Sequence, residues 1–537
     1  MNVSSNHQKK RFRLLVFALL SFFTYWFYSL VDAYANRIAT GYTDSAGFME
    51  MISKKGLNLE LRSVYFTSSI KVTSLYGESA DRICELIPQS FSGSRSVITG
   101  HPYLISIPAS MFSWISGLTP DYVAAILLSF TSTLAIVAIA AFLLKNGVSK
   151  TVCGFFIVMV MCYPVLTQSM LGQPYFDRLM LGPAVMTILL VWSTKQHSFS
   201  NWKWICVLTL VLALISERGA ALGGLISCGY LLLLHGRRVI FVRELRFIFI
   251  SGAISLAWLQ IWGRYVQNLS AYNQISFGSW LPRIKSLLAN PDSTGFKVFV
   301  LVSLSFIIFS IFSGRGILLL IVSFLPNVVL STGGAELSGF LTHYHQVYLP
   351  VLLSFAAVGL VVISGRAGEF LASKSLSIQK GGRYLASTSM VLVLLISIGY
   401  PFNSVAPVFR GGVVEDAVAV WFPFVRTYDD DVANVRQSQS EVAEYISDLN
   451  PKDVSASEGL YPALLLSGIK GVEYWPFGVG TAEVVLAPHI GGLPNVLPYA
   501  DPQGSTGNLQ ECVERVLEND YKLVRTFTGD LRVYLKN

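Results

Sequence analysis

The chain has 537 residues, of which 53% are hydrophobic and 13% are charged, with a formal net charge of +8. Soluble domains carry about 25% charged residues, so this composition, with a mean hydropathy of +0.54, excludes an ordinary soluble protein and indicates a multi-pass membrane protein. Excess positive charge in such a protein is first explained by cytoplasmic loops, so we expect no nucleic-acid partner.

The N-terminus is basic and leads into a first apolar run. Lys9, Lys10, Arg11 and Arg13 precede the apolar stretch 14–33. The stretch is long enough to span a bilayer and lacks the pattern of a cleaved signal peptide. We expect a retained first helix whose N-terminal side lies in the cytoplasm.

A polar loop follows at 34–100 and precedes a short apolar run at 101–117. That run contains Pro102 and Pro108, and we interpret it as a helix lying along the membrane interface. A true span at 101–117 is the competing interpretation, and it would invert every later helix. The first outer loop with its interfacial helix therefore covers 34–120.

Ten further apolar runs bring the predicted number of transmembrane helices to about eleven. The predicted inner loops hold thirteen lysine and arginine residues between Lys145 and Arg383, and the short outer loops hold six between Arg178 and Lys297. The positive-inside rule requires this asymmetry. The ten runs are 122–144, 151–168, 176–194, 202–216, 219–234, 247–265, 298–312, 316–331, 347–364 and 384–400.

The composition becomes that of a soluble domain after residue 400. Strand patterns at 453–457, 471–474, 483–487 and 521–526 alternate with helical patterns at 441–449 and 509–517, which predicts a small α/β domain at 401–537. The transmembrane domain is then 1–400. An odd number of spans places the α/β domain outside the cytoplasm.

Two cysteines differ from the other four. Cys84 and Cys512 fall outside the apolar runs, where a disulfide between them is an open possibility. Cysteines 153, 162, 206 and 228 fall inside apolar runs and are interpreted as core residues. No spacing of cysteine and histidine is typical of a zinc site.

Ionisable residues collect at the predicted outer ends of the helices, where such residues indicate function. Asp44 is either a catalytic acid of the first outer loop or a cap for a helix at 45–53. His101 either binds a phosphate or faces water. Asp177 either satisfies a helix N-terminus or contacts a substrate or metal, and Arg178 is a candidate anion contact.

A polar break between two apolar runs holds Glu217 and Arg218. The two residues either neutralise each other or act together, and a guanidinium matches the geometry of phosphate. The motif His343-Tyr344-His345 precedes the span at 347–364. These residues either contribute to a metal site or line the pocket of a lipid donor.

The order of these motifs resembles the GT-C superfamily of membrane glycosyltransferases. The matching stretches are Tyr42-Thr43-Asp44, then His101-Pro102-Tyr103-Leu104 through Ser116-Gly117, then 122–145. The whole chain also resembles a bacterial family of predicted multi-pass membrane proteins of unknown function, through Ile215-Ser216-Glu217-Arg218, His343-Tyr344-His345 with Pro350, and 454–476. Two departures are that Ser45 stands where many members have a second acid, and Arg218 where an acid is expected.

The resemblance implies a polyprenyl-phosphate sugar donor, transfer on the non-cytoplasmic face and a site in the bacterial inner membrane. Asp44 would be the general base toward an acceptor hydroxyl on a glycan, lipid or protein. Arg218, with Arg178 or His101, would stabilise the leaving phosphate, and Glu217 would orient the acceptor or help hold a divalent cation. The alternatives are a transporter or flippase of a lipid-linked glycan, or a non-catalytic membrane assembly protein.

Overall fold

The computed structural model describes most helices and the C-terminal sheet. The described residues are 20–31 (without 21 and 29), 35, 52, 60–61, 75–88 (without 76), 95–96, 104–161, 163, 166, 176–193, 201–230, 242–266, 303–324 (without 305 and 315), 346–372, 430–456, 460, 463–464, 467–469, 471–487, 506–527 and 531–537. Of the sequence motifs, Asp44, His101 and His343-Tyr344-His345 lie outside these residues, as do the predicted span 384–400 and Cys162.

The chain divides into two compact units. The helical unit comprises 1–34, 125–264 and 275–425, and the α/β unit comprises 35–124, 265–274 and 426–537. The α/β unit therefore joins part of the first outer loop to the C-terminal segment.

The helices and strands are numbered α1 to α12 and β1 to β7 in chain order. The helices are α1 (Ala80–Leu86), α2 (Ser106–Ser116), α3 (Pro120–Lys145), α4 (Lys150–Met161), α5 (Leu181–Ser193), α6 (Trp202–Ile215), α7 (Glu217–Gly224), α8 (Val242–Val266), α9 (Gly316–Phe324), α10 (Leu349–Ala372), α11 (Asp430–Leu449) and α12 (Thr506–Asp520). The strands are β1 (Glu60–Leu61), β2 (Arg95–Ser96), β3 (Val454–Ala456), β4 (Val472–Tyr474), β5 (Val484–Ala487), β6 (Tyr521–Phe527) and β7 (Leu531–Lys536).

Apolar helices dominate the described part of the helical unit. Within the described residues, two continuous helices, Pro120–Lys145 and Phe176–Ser193, are long and apolar enough to cross a bilayer. Shorter apolar helices at Lys150–Met161, Trp202–Ile215, Arg246–Trp258 and Leu349–Gly365 coincide with four more of the predicted spans. A polytopic helical arrangement agrees with the prediction, whereas the number eleven stays a prediction.

Helix α2 has the form expected of an interfacial helix. Its eleven residues rise about 16 Å, roughly half of the ~30 Å hydrocarbon core. Its small residues Ser106, Ala109 and Ser110 are buried, whereas Trp114 is 64% and Ile115 is 74% exposed. Gly117 ends the helix in the left-handed conformation, with φ of 69°, which glycine adopts without steric cost.

The C-terminal sheet has five strands in the order β4-β3-β5-β7-β6. β3 is parallel to β4 and β5, whereas β7 is antiparallel to β5 and β6. The four strand patterns of the sequence coincide with β3, β4, β5 and β6. The sequence patterns did not include β7. Its segment, Leu531–Lys536, interrupts four apolar residues with two basic ones.

Both faces of this sheet are covered at its central strand β5, where all four residues are buried. Val485 and Ala487 join an apolar cluster with residues of α1 and α12. Val484 and Leu486 point to the other face and join a cluster with residues of α11. The alternation follows the two-residue period of a strand.

Candidate functional site

The break between α6 and α7 is a tight helical hairpin. α6 ends at Ile215, Ser216 is extended with φ of −164° and ψ of 170°, and α7 begins at Glu217. The Ser216 hydroxyl caps α7 by accepting a hydrogen bond from the Gly219 backbone N–H at 3.1 Å. The polar break in the sequence therefore corresponds to a chain reversal at the end of two apolar helices.

Glycines let the two arms of this hairpin approach closely. A Cβ placed on Gly219 would lie 2.1 Å from the Leu212 carbonyl oxygen, and one on Gly223 would lie 3.1 Å from that of Thr209. Thr209 and Ser227 connect the arms farther along through a hydroxyl–hydroxyl hydrogen bond of 2.8 Å. The hairpin is thus a close antiparallel pair, and its turn carries Glu217 and Arg218.

A short 3₁₀ helix, Phe176–Met180, brings a second charged pair to the turn. Its position is fixed by α3, because the Thr131 hydroxyl donates to the Leu179 carbonyl at 2.9 Å and accepts from the Gly182 backbone N–H at 2.9 Å. The 3₁₀ helix contacts both α6 and α7.

An ion pair joins the two elements: Arg218 Nη1 donates to Asp177 Oδ2. The Asp177 side chain is fully buried, and the Arg218 side chain keeps 20% of its surface exposed. Arg178, next to Asp177 in the 3₁₀ helix, is 3% exposed. The structure therefore brings two of the predicted site residues, Asp177 and Arg218, into contact, and Arg178 follows Asp177 in the same 3₁₀ helix.

Asp177 has a role that the sequence did not predict. A carboxylate at the start of a helix was interpreted as satisfying the helix N-terminus or as contacting a substrate or metal, whereas the structure pairs it with Arg218. Position is the signal that could have revealed the pair, since both residues follow breaks between apolar runs at the same predicted membrane face.

The remaining predicted residues are only partly placed. Glu217 is the first residue of α7, and its side chain is outside the description. The described residues contain no group of three or more histidine, cysteine or acidic side chains that could hold a metal ion. Asp44, His101, His343, Tyr344 and His345 lie outside the described residues, and their roles stay predictions.

Comparison with known proteins gives distant structural similarities only. No family profile and no curated protein matches the chain. Among solved structures, ArnT from Cupriavidus metallidurans bound to undecaprenyl phosphate is similar, at 12% identity and a TM-score of 0.47 over 97% of both chains. Its apo state has a TM-score of 0.42 at 12% identity, over 88% of this chain and 97% of ArnT.

An archaeal enzyme is also similar. The oligosaccharyltransferase of Archaeoglobus fulgidus, tethered to an acceptor peptide, has a TM-score of 0.34 at 12% identity, over 96% of this chain and 74% of the enzyme. Both similarities are distant, at 12% identity. With TM-scores below 0.5, they add nothing on site residues, substrate or acceptor.

Proposed function

We propose that this protein is a membrane glycosyltransferase that moves a sugar from a polyprenyl-phosphate donor to an extracytoplasmic glycan, lipid or protein. The observation that carries the proposal is the buried Asp177–Arg218 pair at the turn between two apolar helices. Charged groups at membrane depth cost free energy, so a charged pair at the end of two apolar helices favours a function over packing alone.

Arg218 suits the phosphate of the donor for a physical reason. A guanidinium presents several N–H donors in a planar fork that matches the oxygens of a phosphate. Asp177 engages Nη1, and the Arg218 side chain is not fully enclosed, with 20% of its surface exposed. Arg178, the next residue of the 3₁₀ helix, is the candidate second cation, and positive charge of this kind would stabilise the phosphate as the glycosidic bond breaks.

Asp44 supplies the other half of the proposed reaction. It follows the first membrane helix in the sequence, on the predicted outer side, where it would take the proton of the acceptor hydroxyl as that oxygen attacks the anomeric carbon. The leaving group is the lipid phosphate. His101 is a further candidate phosphate contact, and Glu217 is the candidate that orients the acceptor or helps hold a divalent cation.

Binding of undecaprenyl phosphate tests the role of Arg218. We expect purified Arg218→Ala to bind this lipid at least tenfold more weakly than the unaltered protein, and Arg218→Lys to be intermediate because the planar fork is lost. Arg82→Ala is the matched control, since Arg82 is an exposed arginine of the α/β unit paired with Glu85. Equal binding by Arg218→Ala and Arg82→Ala would refute the assignment.

Transfer in cells tests Asp44. In cells that depend on this protein for an envelope glycan, Asp44→Asn should abolish the glycan while the protein still accumulates in the membrane. Asp448→Asn, at an exposed acid of α11, should leave it unchanged. Near-normal glycan with Asp44→Asn would overturn the mechanism. Uptake of a lipid-linked glycan by proteoliposomes without sugar transfer would instead identify a transporter.

A further inference from the structure

A segment of the first outer loop is a structural part of the C-terminal domain. Cys84 in α1 and Cys512 in α12 form a disulfide across a sequence separation of 428 residues, with their Cα atoms 5.5 Å apart. Cys512 is fully buried, and Cys84 packs against the same apolar cluster. The bond thus joins two segments of the α/β unit between which most of the helical unit lies in the sequence.

Non-covalent contacts connect the same two segments. Arg515 Nη1 donates to Asp81 Oδ1 at 2.7 Å, and Asn508 Nδ2 donates to the Glu78 carbonyl oxygen at 2.9 Å. The Gly478 backbone N–H donates to the Ile87 carbonyl oxygen at 3.1 Å. Leu75, Ile83 and Ile87 are buried among residues of the C-terminal domain. These contacts would hold α12 against α1 once the bond has formed and α12 has docked.

The sequence separates these two cysteines from the competing thiols. Cys153, Cys206 and Cys228 carry free thiols in α4, in α6 and in the π-helical turn after α7, and Cys162 falls in an apolar run. Cys84 and Cys512 are therefore the two cysteines of the chain outside apolar runs. The chain therefore offers no other cysteine in the aqueous compartment with which Cys84 or Cys512 could mispair.

Topology places both cysteines on one side of the membrane. Ten of the predicted spans lie between them, and an even number returns the chain to the side on which it started. Disulfides form and persist in oxidising compartments and are rare in the cytoplasm. The bond and the loop charges therefore agree that this side is extracytoplasmic.

We propose that the Cys84–Cys512 bond is a permanent staple, introduced outside the cytoplasm by thiol–disulfide exchange with a disulfide-bearing protein oxidant. One cysteine thiolate attacks the oxidant's disulfide, forming a mixed disulfide and releasing one thiolate. The other cysteine thiolate then attacks the protein sulfur of that mixed disulfide, forming the staple and releasing the second thiolate. The oxidant gains two electrons, and the two protons of the cysteines pass to its two thiolates.

The staple would hold the first outer loop, which also carries Asp44, to the C-terminal domain. Because Cys512 is fully buried in the folded unit, the exchange must precede the final docking of α12. The same burial shields the finished bond from reductants. The inference goes beyond the proposed function and does not depend on it.

Thiol counting tests the bond directly. Cells are quenched with acid, and the unfolded protein is treated with a maleimide polymer that shifts the gel band once per free thiol. Four of the six cysteines should react without reduction, and all six after reduction. Cys84→Ser should show five reactive thiols with or without reduction, whereas the matched control Cys228→Ser should show three before and five after reduction. Six reactive thiols in the unreduced natural chain would overturn the proposal.

A cleavable chain tests the partners and the oxidant. A protease site inserted at 374–380 leaves Cys512 as the single cysteine of the C-terminal fragment. The two fragments should stay together on a non-reducing gel and separate after Cys84→Ser or reduction. In cells that lack their extracytoplasmic dithiol oxidase, the fragments should separate without reduction. Fragments that stay joined in Cys84→Ser would refute the pairing. Fragments that stay joined in the cells without the oxidase would refute the role of the oxidant.

The rate of reduction tests whether burial shields the disulfide. Dithiothreitol should leave the bond intact in the folded, detergent-solubilised protein and should break it once urea unfolds the domain. Reduction at the same rate in both conditions would show that the bond is exposed and is not a permanent staple.

Discussion

Asp177 and Arg218 illustrate how one buried charge requires another. A fully buried carboxylate without a partner is strongly destabilising, because the loss of hydration is not offset. Arg218 lies in the first turn of α7, where the helix dipole disfavours a cation. The ion pair meets both requirements at once, and it fixes the guanidinium beside the turn.

The pair should be strongly coupled in stability. Asp177→Ala should lower the free energy of unfolding by about 3 kcal/mol, because it leaves the guanidinium partly buried without its carboxylate. Adding Arg218→Ala should restore part of that loss, with a coupling of about 1–3 kcal/mol in a double-mutant cycle. Urea unfolding in detergent measures the four proteins.

The exposed pair Arg82–Glu85, at 2.5 Å, provides the matched control cycle. Surface pairs contribute about 0–1 kcal/mol, so this coupling should be the smaller one. Equal couplings in the two cycles would mean that Asp177 does not hold Arg218.

Tyr521 should make the α/β unit sensitive to alkali. Its hydroxyl donates to the Ala482 carbonyl oxygen at 2.8 Å and accepts from the Gly480 backbone N–H at 3.0 Å. Burial raises the pKa of Tyr521 above its ordinary value of 10.0. A group whose pKa is higher in the folded state stabilises fully below its unfolded pKa, and that contribution disappears as the pH rises through the folded pKa.

We therefore expect the unfolding free energy of the natural chain to fall more steeply above pH 10 than that of Tyr521→Phe. At neutral pH the variant should be about 1 kcal/mol less stable, because two hydrogen bonds are lost. Hydrogen exchange of β5 and β7 at several pH values measures both effects. Parallel pH curves for the two proteins would contradict the assignment.

At the scale of elements, the α6–α7 hairpin depends on Gly219. Gly219→Ala would place a methyl group 2.1 Å from the Leu212 carbonyl oxygen, so the arms must separate at a cost of about 1–3 kcal/mol. Because the turn carries Arg218, binding of undecaprenyl phosphate should weaken as well. Thermal unfolding and lipid binding in detergent measure the two effects.

Gly154 of α4 provides the control for this substitution. A Cβ at Gly154 meets nothing within 4 Å, and alanine is the better helix former by about 1 kcal/mol. Gly154→Ala should therefore be neutral or stabilising. A Gly219→Ala protein as stable as Gly154→Ala would show that the hairpin tolerates separation of its arms.

Sequence patterns predicted the secondary-structure elements better than they predicted which residues pair with each other. The break at Ser216, a short helix within 101–117 and four of the five C-terminal strands follow from hydrophobic period and from turn residues, which are local signals. The Asp177–Arg218 pair and the Cys84–Cys512 bond join residues 41 and 428 positions apart. Such pairings depend on how the elements pack, so the sequence left the disulfide as one alternative and did not indicate the ion pair.

At the scale of the whole molecule, orientation follows from whether 101–117 spans the membrane. The described helix α2 has eleven residues with an exposed apolar side, which favours a position in the membrane interface. If α2 does not span, residues 84 and 512 both lie outside the cytoplasm, the inner loops carry thirteen basic residues against six, and the C-terminus is extracytoplasmic. If 101–117 spans, the later loops invert and residues 84 and 512 fall on opposite sides, which the disulfide between them forbids.

Reporter fusions decide between these orientations. Alkaline phosphatase fused after Asn537 should be active, because it folds outside the cytoplasm, and a green fluorescent protein at the same position should be dark when exported in the unfolded state. The matched fusions after Lys195, in a predicted inner loop, should give the opposite pair of signals. A fluorescent, phosphatase-inactive C-terminus would invert the topology and would remove both the site of sugar transfer and the compartment in which the staple forms.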